Sequence, residues 1–584
     1  MSLRRSRISI SIAAAALGVI VVGSVAYGST RSNELRPGAG QEVNRPIPTS
    51  VSRSTAQGFV PASQSALGLS QTVPTAFTGV TFKDHRDADG GNQTSDTPPD
   101  QGLCEGNGVV IEPVNTTFST YSTSGQLVSG PTSLTVFYTG KHEIDRSQSP
   151  PTFGPFLSDP RCYFDPDIGR FVMTILQIPF SSSGSFQNGR SNLLIAVSKG
   201  STPTTNRNDW WRFKIYTTDA GGPSNDGSGN TMPSQPGCPC FGDQPLLGAD
   251  NYGIYVTTNE FSILGPEFNG AQIYAISKND LFAGRLKYQA FHGTPIPLAE
   301  GAAYSLQPAT SPSANSWNTQ NGGTEYLMSA LDFSATTDNR IAVWALTNTS
   351  SLRTNNPAVV LTDPFIVPSE TYGQPPNANQ KAGPTPLGTA LGEPEEQLAT
   401  DDDRMNQVVY AAGNLYGAVN TLIRTGSPTN TSSDRSGIAY FVVTPSNPTS
   451  TSVAGTMANQ GYLALSIHNN LLYPSIAVNK AGKGAITFTV AGRQDFPTAG
   501  WTTIDAINGA GPIKFLSRGA APTDDLSGYA AFGGNGVARW GDYSAAVPSD
   551  DGSSIWLASE YIPGGFGYPP YLANWGTFVA NVNP

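Results

Sequence analysis

The chain has 584 residues, 38% hydrophobic and 10% aromatic, which is enough to bury a sizeable core and excludes wholesale disorder. Charged residues make up only 13%, and 33 basic against 43 acidic side chains leave a net charge of −10 with no Lys/Arg stripe. This balance excludes a phosphate-neutralising nucleic-acid surface and a polybasic grip on anionic lipid. With 63 Gly, 46 Pro and no long helical periodicity beyond the first 28 residues, the composition predicts an all-β fold of short strands and turns.

Residues 1–28 have the three parts of a signal peptide. Arg4, Arg5 and Arg7 precede an apolar run from Ile8 to Val22, and small residues follow at Gly23, Ser24, Ala26 and Gly28. Cleavage after Ala26 and cleavage after Gly28 both fit. The alternative is an uncleaved N-terminal anchor, since the apolar stretch from Ile8 to Tyr27 is just long enough to span a bilayer. Residues 29–75 are rich in Ser, Thr, Pro and Gln and read as a flexible spacer. From about residue 76 to 584 short β-like runs continue without a second linker. A single domain of that size exceeds what one core supports, unless it is built from repeats.

A repeat is present. Gly242 to Phe261 and Gly541 to Tyr561 share one plan, with a short apolar strand, an Asp/Asn/Gly turn, an alternating strand, and a closing Glu followed by an aromatic residue. Weaker copies start near Cys104, Asp159 and Tyr473, and further ones lie around Gln307 to Leu331 and Met405 to Val419. Additional strands follow at Asn192 to Ser198, Ala271 to Ser277, Arg340 to Leu346 and Gly437 to Val443. A hairpin with two outer strands makes a propeller blade, so the expected architecture is a β-propeller of about seven four-stranded blades; six or eight also fit the spacing. The excess length is assigned to loops at 181–191, 219–237 and 366–394. Phe77 to Phe82 and Gly576 to Val582 are expected to complete a blade shared by the two ends of the chain.

Pro99 to Gly108, Asp159 to Pro166, Gly242 to Glu260 and Arg539 to Ser544 resemble a family of secreted bacterial proteins of unassigned function with sialidase-like propeller folds. The resemblance covers roughly residues 75 to 584 and implies fold and export, with little about activity. The sialidase Asp-box is only approximated by Ser549 to Trp556, one residue short between Asp and Gly, and the sialidase arginine triad has no counterpart.

Export places the four cysteines in an oxidising compartment. Of three connectivities, Cys104 with Cys162 and Cys238 with Cys240 is preferred, and a zinc site is the alternative. Antiparallel pairing returns Asp243 and Glu260, and likewise Asp542 and Glu560, to one end of their hairpins, where ligands of propellers commonly bind. The competing role is structural, with these carboxylates accepting backbone N–H groups. Arg539 and Tyr543, beside Trp540, could hold a sugar or an acid, and Arg539 could equally form an inter-blade ion pair. His85 and His142 sit in mixed-charge runs that read as exposed loops. Asp401 to Asp403 could take Ca²⁺ but reads as a solvated charge run, and no cofactor is required. The expected function is a secreted, extracellular binding or scaffolding propeller that recognises a glycan or protein. The alternative is a carbohydrate-active hydrolase or lyase using carboxylates at the channel mouth, which leaves open whether the chain is an enzyme.

Overall fold

The computed structural model describes residues 73–178, 190–264, 267–293, 296–298, 301–331, 337–424, 431–465, 468–564 and 572–584. The signal segment, nearly all of the spacer and most of the 181–191 loop lie outside them. Among the described residues no helix is long and apolar enough to cross a membrane.

The fold is mostly β and propeller-like in plan, made of antiparallel sheets whose strands succeed one another in chain order. The first sheet comprises Cys104–Gly106, Val109–Val114, Thr117–Ser122 and Leu127–Ser133. The second comprises Phe156–Asp165, Arg170–Ile178, Asn192–Ser198 and Trp210–Tyr216. The third comprises Cys240–Ala249, Gly253–Ser262, Phe268–Ser277 and Tyr288–Phe291. A larger assembly comes next, in which two antiparallel groups, Gln307–Thr310 to Phe365–Gly373 and Val408–Ala411 to Ser452–Leu463, share strand pairing through the parallel pairs Ala309↔Val408 and Thr310↔Val409 and pack on each other through a common apolar cluster. The next sheet starts at Asn469–Val478 and ends at Lys514–Ser517. The terminal sheet is built from Ala545–Pro548, Ile555–Tyr561 and Gly576–Val582, and its fourth strand is Thr75–Thr81 from the other end of the chain, paired Thr75↔Asn581 through Thr81↔Gly576.

The second strands are buried on both faces, as in Gly253–Ser262, because each sheet is covered on either side by a neighbour. The apolar core accordingly lies between sheets. Val172 and Ile195 of the second sheet pack with Ile254 and Tyr274 of the third. Ile276's sheet in turn meets the Leu327 and Trp344 strands through Ile273. At the other end, Trp556 and Val579 of the terminal sheet pack with Leu103 and Val110 of the first.

Both expected hairpins and all the weaker starts coincide with first and second strands of sheets. The loop expected over 366–394 is corrected: its first part is the strand Phe365–Gly373, which pairs with Thr337–Thr347 despite Pro368, and Pro386–Leu391 is a short helix. The 219–237 segment is irregular, held by single bridges between Ala220 and Ser234 and between Pro223 and Thr231. The disulfides are Cys104–Cys162, which ties the first strands of two adjacent sheets, and Cys238–Cys240.

Candidate functional site at the head of the first strands

Cys104, Arg161, Leu247, Gln307 and Ala546, from the first strands of five sheets, and Gln407, directly ahead of Val408–Ala411, line one common cavity, here the channel. The polar groups that crown its head are aimed there by a repeated backbone device. In Phe156–Asp165, Cys240–Ala249 and Asn469–Val478, two residues stand against one on the second strand, between Ser158 and Arg161, Asp243 and Leu246, and Leu472 and Ser475. Each bulge contains a left-handed residue, Asp159 (φ 61°), Gln244 (φ 48°) or Tyr473 (φ 53°), with a proline directly after it. An inserted residue of this kind breaks the alternation of the strand and re-aims its side chains.

Six aspartates (Asp100, Asp159, Asp243, Asp401, Asp402 and Asp542) and three arginines (Arg161, Arg404 and Arg539) influence one another's charge at this head. Arg539 Nη2 donates to both carboxylate oxygens of Asp542, at 2.9 and 2.7 Å, and the Asp542 N–H donates to Asp100 at 2.7 Å. Arg404 donates to Asp402 through Nε (2.7 Å) and Nη2 (2.6 Å), and to Gln244 through Nη1 (2.8 Å). Gln244 in turn donates to Asn406, whose amide donates to the Asp542 carbonyl. Arg161 is held differently: its guanidinium lies over the Tyr543 ring, Nε donates to the Pro245 carbonyl at 3.3 Å, and Nη2 has no hydrogen-bond partner among the described residues.

The floor of this depression is buried, while solvent reaches its rim: Asp100 is 2% exposed, whereas the Asp542 side chain is 27% exposed. Burial, and next the Asp542 carboxylate, push the carboxyls of Asp100 and Asp159 up. Burial and Asp159 push Asp243 up to about 7, and burial, against the pull of Arg404, pushes Asp401 up to about 7. Burial works against the charge on Arg539, yet Asp542 and Asp100 hold its guanidinium above the ordinary value. Carboxyls poised near neutrality beside fixed guanidinium groups can donate and accept hydrogen bonds, and can exchange protons.

Of the residues singled out from sequence, Asp243, Arg539, Asp542 and Tyr543 meet here. The two glutamates are buried within their sheets. Glu560 accepts the Gly541 N–H at 2.7 Å, and Glu260 accepts the Thr258 hydroxyl at 2.7 Å. Trp540 is buried, with Nε1 on the Thr489 hydroxyl at 3.1 Å. Among the described residues the ion pair of Arg539 is with Asp542 of its own segment. Asp401 to Asp403 are not a solvated run: Asp403 is buried and Asp402 is clamped by Arg404. His85 is likewise not in an exposed loop. It is fully buried in the helix Phe82–Asp87 with Nε2 2.7 Å from the Thr116 hydroxyl, because the charges flanking it in sequence point outward on that turn. His142 is exposed and lies on Asp89 at 2.5 Å. Within the Ser549 to Trp556 segment, Ser549 to Ser554 form the turn between the first two strands of the terminal sheet and Ile555 and Trp556 open the second strand; in the turn Asp551 accepts from Ser549 and Ser553, at the opposite end of the first strand from Asp542. Among the described residues no group of three or more His, Cys, Asp or Glu side chains is arranged to hold a metal ion.

No family model and no curated protein matches the chain. Among solved structures, a protein of unknown function from Dyadobacter fermentans is similar at 11% identity over 73% of this chain and 95% of that one, with a TM-score of 0.33. An α-L-arabinofuranosidase from Podospora anserina is similar at 12% identity over 59% and 91%, TM-score 0.25. An exo-β-1,3-galactanase from Clostridium thermocellum stands at 9% identity over 76% and 81%, TM-score 0.27.

Proposed function

We propose that this chain is an exported seven-bladed β-propeller that binds a glycan in the depression at the head of its central channel. The blade count rests on the sheets above, with the larger assembly taken as two blades, and ring closure rests on the pairing of Thr75–Thr81 with Gly576–Val582 and on the packing of the terminal sheet on the first. Two disulfides favour an oxidising, extracellular setting.

The observation that carries the binding reading is the convergence of six aspartates and three arginines from five separate stretches of chain, with Arg539 held on Asp542, Arg404 on Asp402 and Asp100 on the Asp542 N–H, so that these donors and acceptors are fixed before a ligand arrives. Sugar hydroxyls both donate and accept, and a preorganised array of carboxylates and guanidinium groups answers both at low entropic cost. Loops and bulges on a rigid sheet scaffold are where such sites are built. Calorimetry with ligands chosen from a glycan array tests the proposal. Asp542→Asn and Arg539→Gln are each expected to weaken binding about tenfold or more, as loss of one charge-assisted contact implies. Binding that both variants leave intact, or no glycan bound at all, overturns it.

A second reading, glycoside hydrolysis, is favoured by the carboxyls of Asp243 and Asp401, which stand near 7 beside other carboxylates, as a general acid requires. Turnover of chromogenic glycosides that Asp542→Asn abolishes would replace the binding-only reading with this one.

A further inference from the structure

Away from the channel, between the second and third sheets, lies a second set of buried oxygens. Val256, Thr258 and Glu260 alternate on one face of Gly253–Ser262, and the register Thr258↔Gln272 and Val256↔Tyr274 sets Gln272 and Tyr274 beside them on the same face. Asp219, just beyond the last strand of the second sheet, completes the group. Its Oδ2 is 3.0 Å from His292 Nδ1, and the His292 ring stands edge-on to Tyr274 with centroids 6.0 Å apart. Asp219, Glu260 and Gln272 are fully buried and Tyr274 is 1% exposed.

What distinguishes this cluster is how many of its polar atoms are unmatched. Asp219 Oδ1, Glu260 Oε2, both amide atoms of Gln272 and the Tyr274 hydroxyl have no hydrogen-bond partner among the described residues. No Lys or Arg pairs with either carboxylate among the described residues, and His292 is the one cationic candidate at Asp219. Burial, then the Asp219 carboxylate, pushes the Glu260 carboxyl well above its ordinary value, and burial together with Glu260 and Asp219 does the same to the Tyr274 phenol, which agrees with their closeness. Buried carboxylates are ordinarily paired or bound to a metal, and a fully buried amide with neither end satisfied costs free energy.

We propose that Asp219, Glu260, Gln272 and Tyr274 form an internal site for a hard divalent cation of the Ca²⁺ type. Two carboxylates balance its charge, and the amide and phenol oxygens, with Thr258 Oγ1 beside Glu260, supply the neutral oxygens such an ion takes up to complete six to eight ligands. The ion joins two sheets and a loop. The Asp219 carbonyl accepts the Gln235 N–H at 2.9 Å, which closes residues 219–235, and Glu260 lies opposite Gly242, next to Asp243 of the channel head. Loading the site therefore orders the strand that delivers Asp243.

The test uses the full mature protein, stripped with chelator and re-equilibrated with Ca²⁺ alone. One bound Ca²⁺ per chain by elemental analysis is expected, with a melting temperature higher by several degrees at about 1 mM Ca²⁺. Terbium luminescence on tyrosine excitation is also expected, displaced by Ca²⁺. Glu260→Gln is expected to abolish the bound ion and the luminescence, while Asp542→Asn in the channel head retains both. If Glu260→Gln does not fold, Tyr274→Phe, which removes only the hydroxyl, is expected to weaken Ca²⁺ about tenfold. A chain that binds no Ca²⁺, an ion lost in Asp542→Asn but kept in Glu260→Gln, or unchanged affinity in Tyr274→Phe overturns the proposal.

Discussion

The Arg161 guanidinium lies 3.4 Å from the centroid of the Tyr543 ring, so a bulged strand of the second sheet and the segment leading into the terminal sheet meet face to face under the carboxylates of the channel head. Both side chains are buried, and the Tyr543 hydroxyl donates to the Pro160 carbonyl at 3.2 Å. A desolvated cation–π contact contributes about 2 kcal/mol. Tyr543→Leu is therefore expected to cost about 2–4 kcal/mol in urea unfolding, adding the loss of the ring. Tyr543→Phe keeps the stack and should cost only about 1 kcal/mol for one hydrogen bond. Equal costs for the two substitutions would show that the stack contributes nothing.

The pH dependence arises from carboxyls held above their ordinary values. Asp243 and Asp401 stand at about 7 in the folded chain, and Glu112 is raised to about 7 by burial. Between the ordinary carboxylate range and pH 7 the folded state thus holds protons that the unfolded chain has released, so stability falls as pH rises through this window. The expected outcome is a melting temperature higher at pH 5 than at pH 8. Asp243→Asn, which mimics the protonated form, should flatten the decline and melt above the parent at pH 8. A melting temperature that instead climbs from pH 5 to pH 8 contradicts this assignment.

The two disulfides differ in what they hold. Cys104–Cys162 spans 58 residues of sequence and bridges adjacent sheets, whereas Cys238–Cys240 spans two. Loop-closure entropy gives about 4 kcal/mol for the first and about 1–2 kcal/mol for the second, on the chain-entropy model. The paired Ser variant at Cys104 and Cys162 should therefore lose much more stability than the one at Cys238 and Cys240. The intact mass of the parent should lie about four hydrogens below the fully reduced value, because both bridges are closed. Alkylation of free thiols without reductant would contradict it.

The strands are readable in the sequence because their burial on both faces leaves long apolar runs, and the sheet starts because turn residues recur ahead of them. Asp159, Arg161 and Gln244 are not readable as members of the same polar cluster as Asp542. Each bulge inserts one residue, which reverses the facing of every later side chain in the strand, and period-two reasoning carries no trace of that reversal. A signal does exist: Asp159-Pro160, Gln244-Pro245 and Tyr473-Pro474 put prolines inside otherwise regular strands, where proline marks a bulge. Antiparallel pairing assigns Glu260 and Glu560 to the correct end of their hairpins, but alternation does not distinguish a side chain facing the channel from one facing the next sheet.

The last strand of the chain is expected to determine whether the molecule holds together. Gly576–Val582 is hydrogen-bonded on one side to Ile555–Tyr561 and on the other to Thr75–Thr81, so it carries the strand pairing that joins the N-terminal strand to the rest of the terminal sheet, beside one side-chain hydrogen bond between the Thr78 and Tyr561 hydroxyls at 2.6 Å. The junction is also buried and polar. Thr577 donates to Glu112 of the first sheet and to the Val80 carbonyl, and the Val80 N–H donates to the same Glu112 carboxylate at 2.9 Å. Deleting residues 574–584 removes this strand, exposes two unpaired edges and strands a carboxylate that burial holds near 7. The truncated chain is expected to melt many degrees lower and to aggregate. Glu112→Gln, which keeps the shape and most of the hydrogen bonds, should cost far less. A truncation that melts within a degree or two of the full chain would mean that the first and last sheets hold each other through the Leu103, Val110 and Trp556 packing alone, and that the ends of the chain do not close the ring.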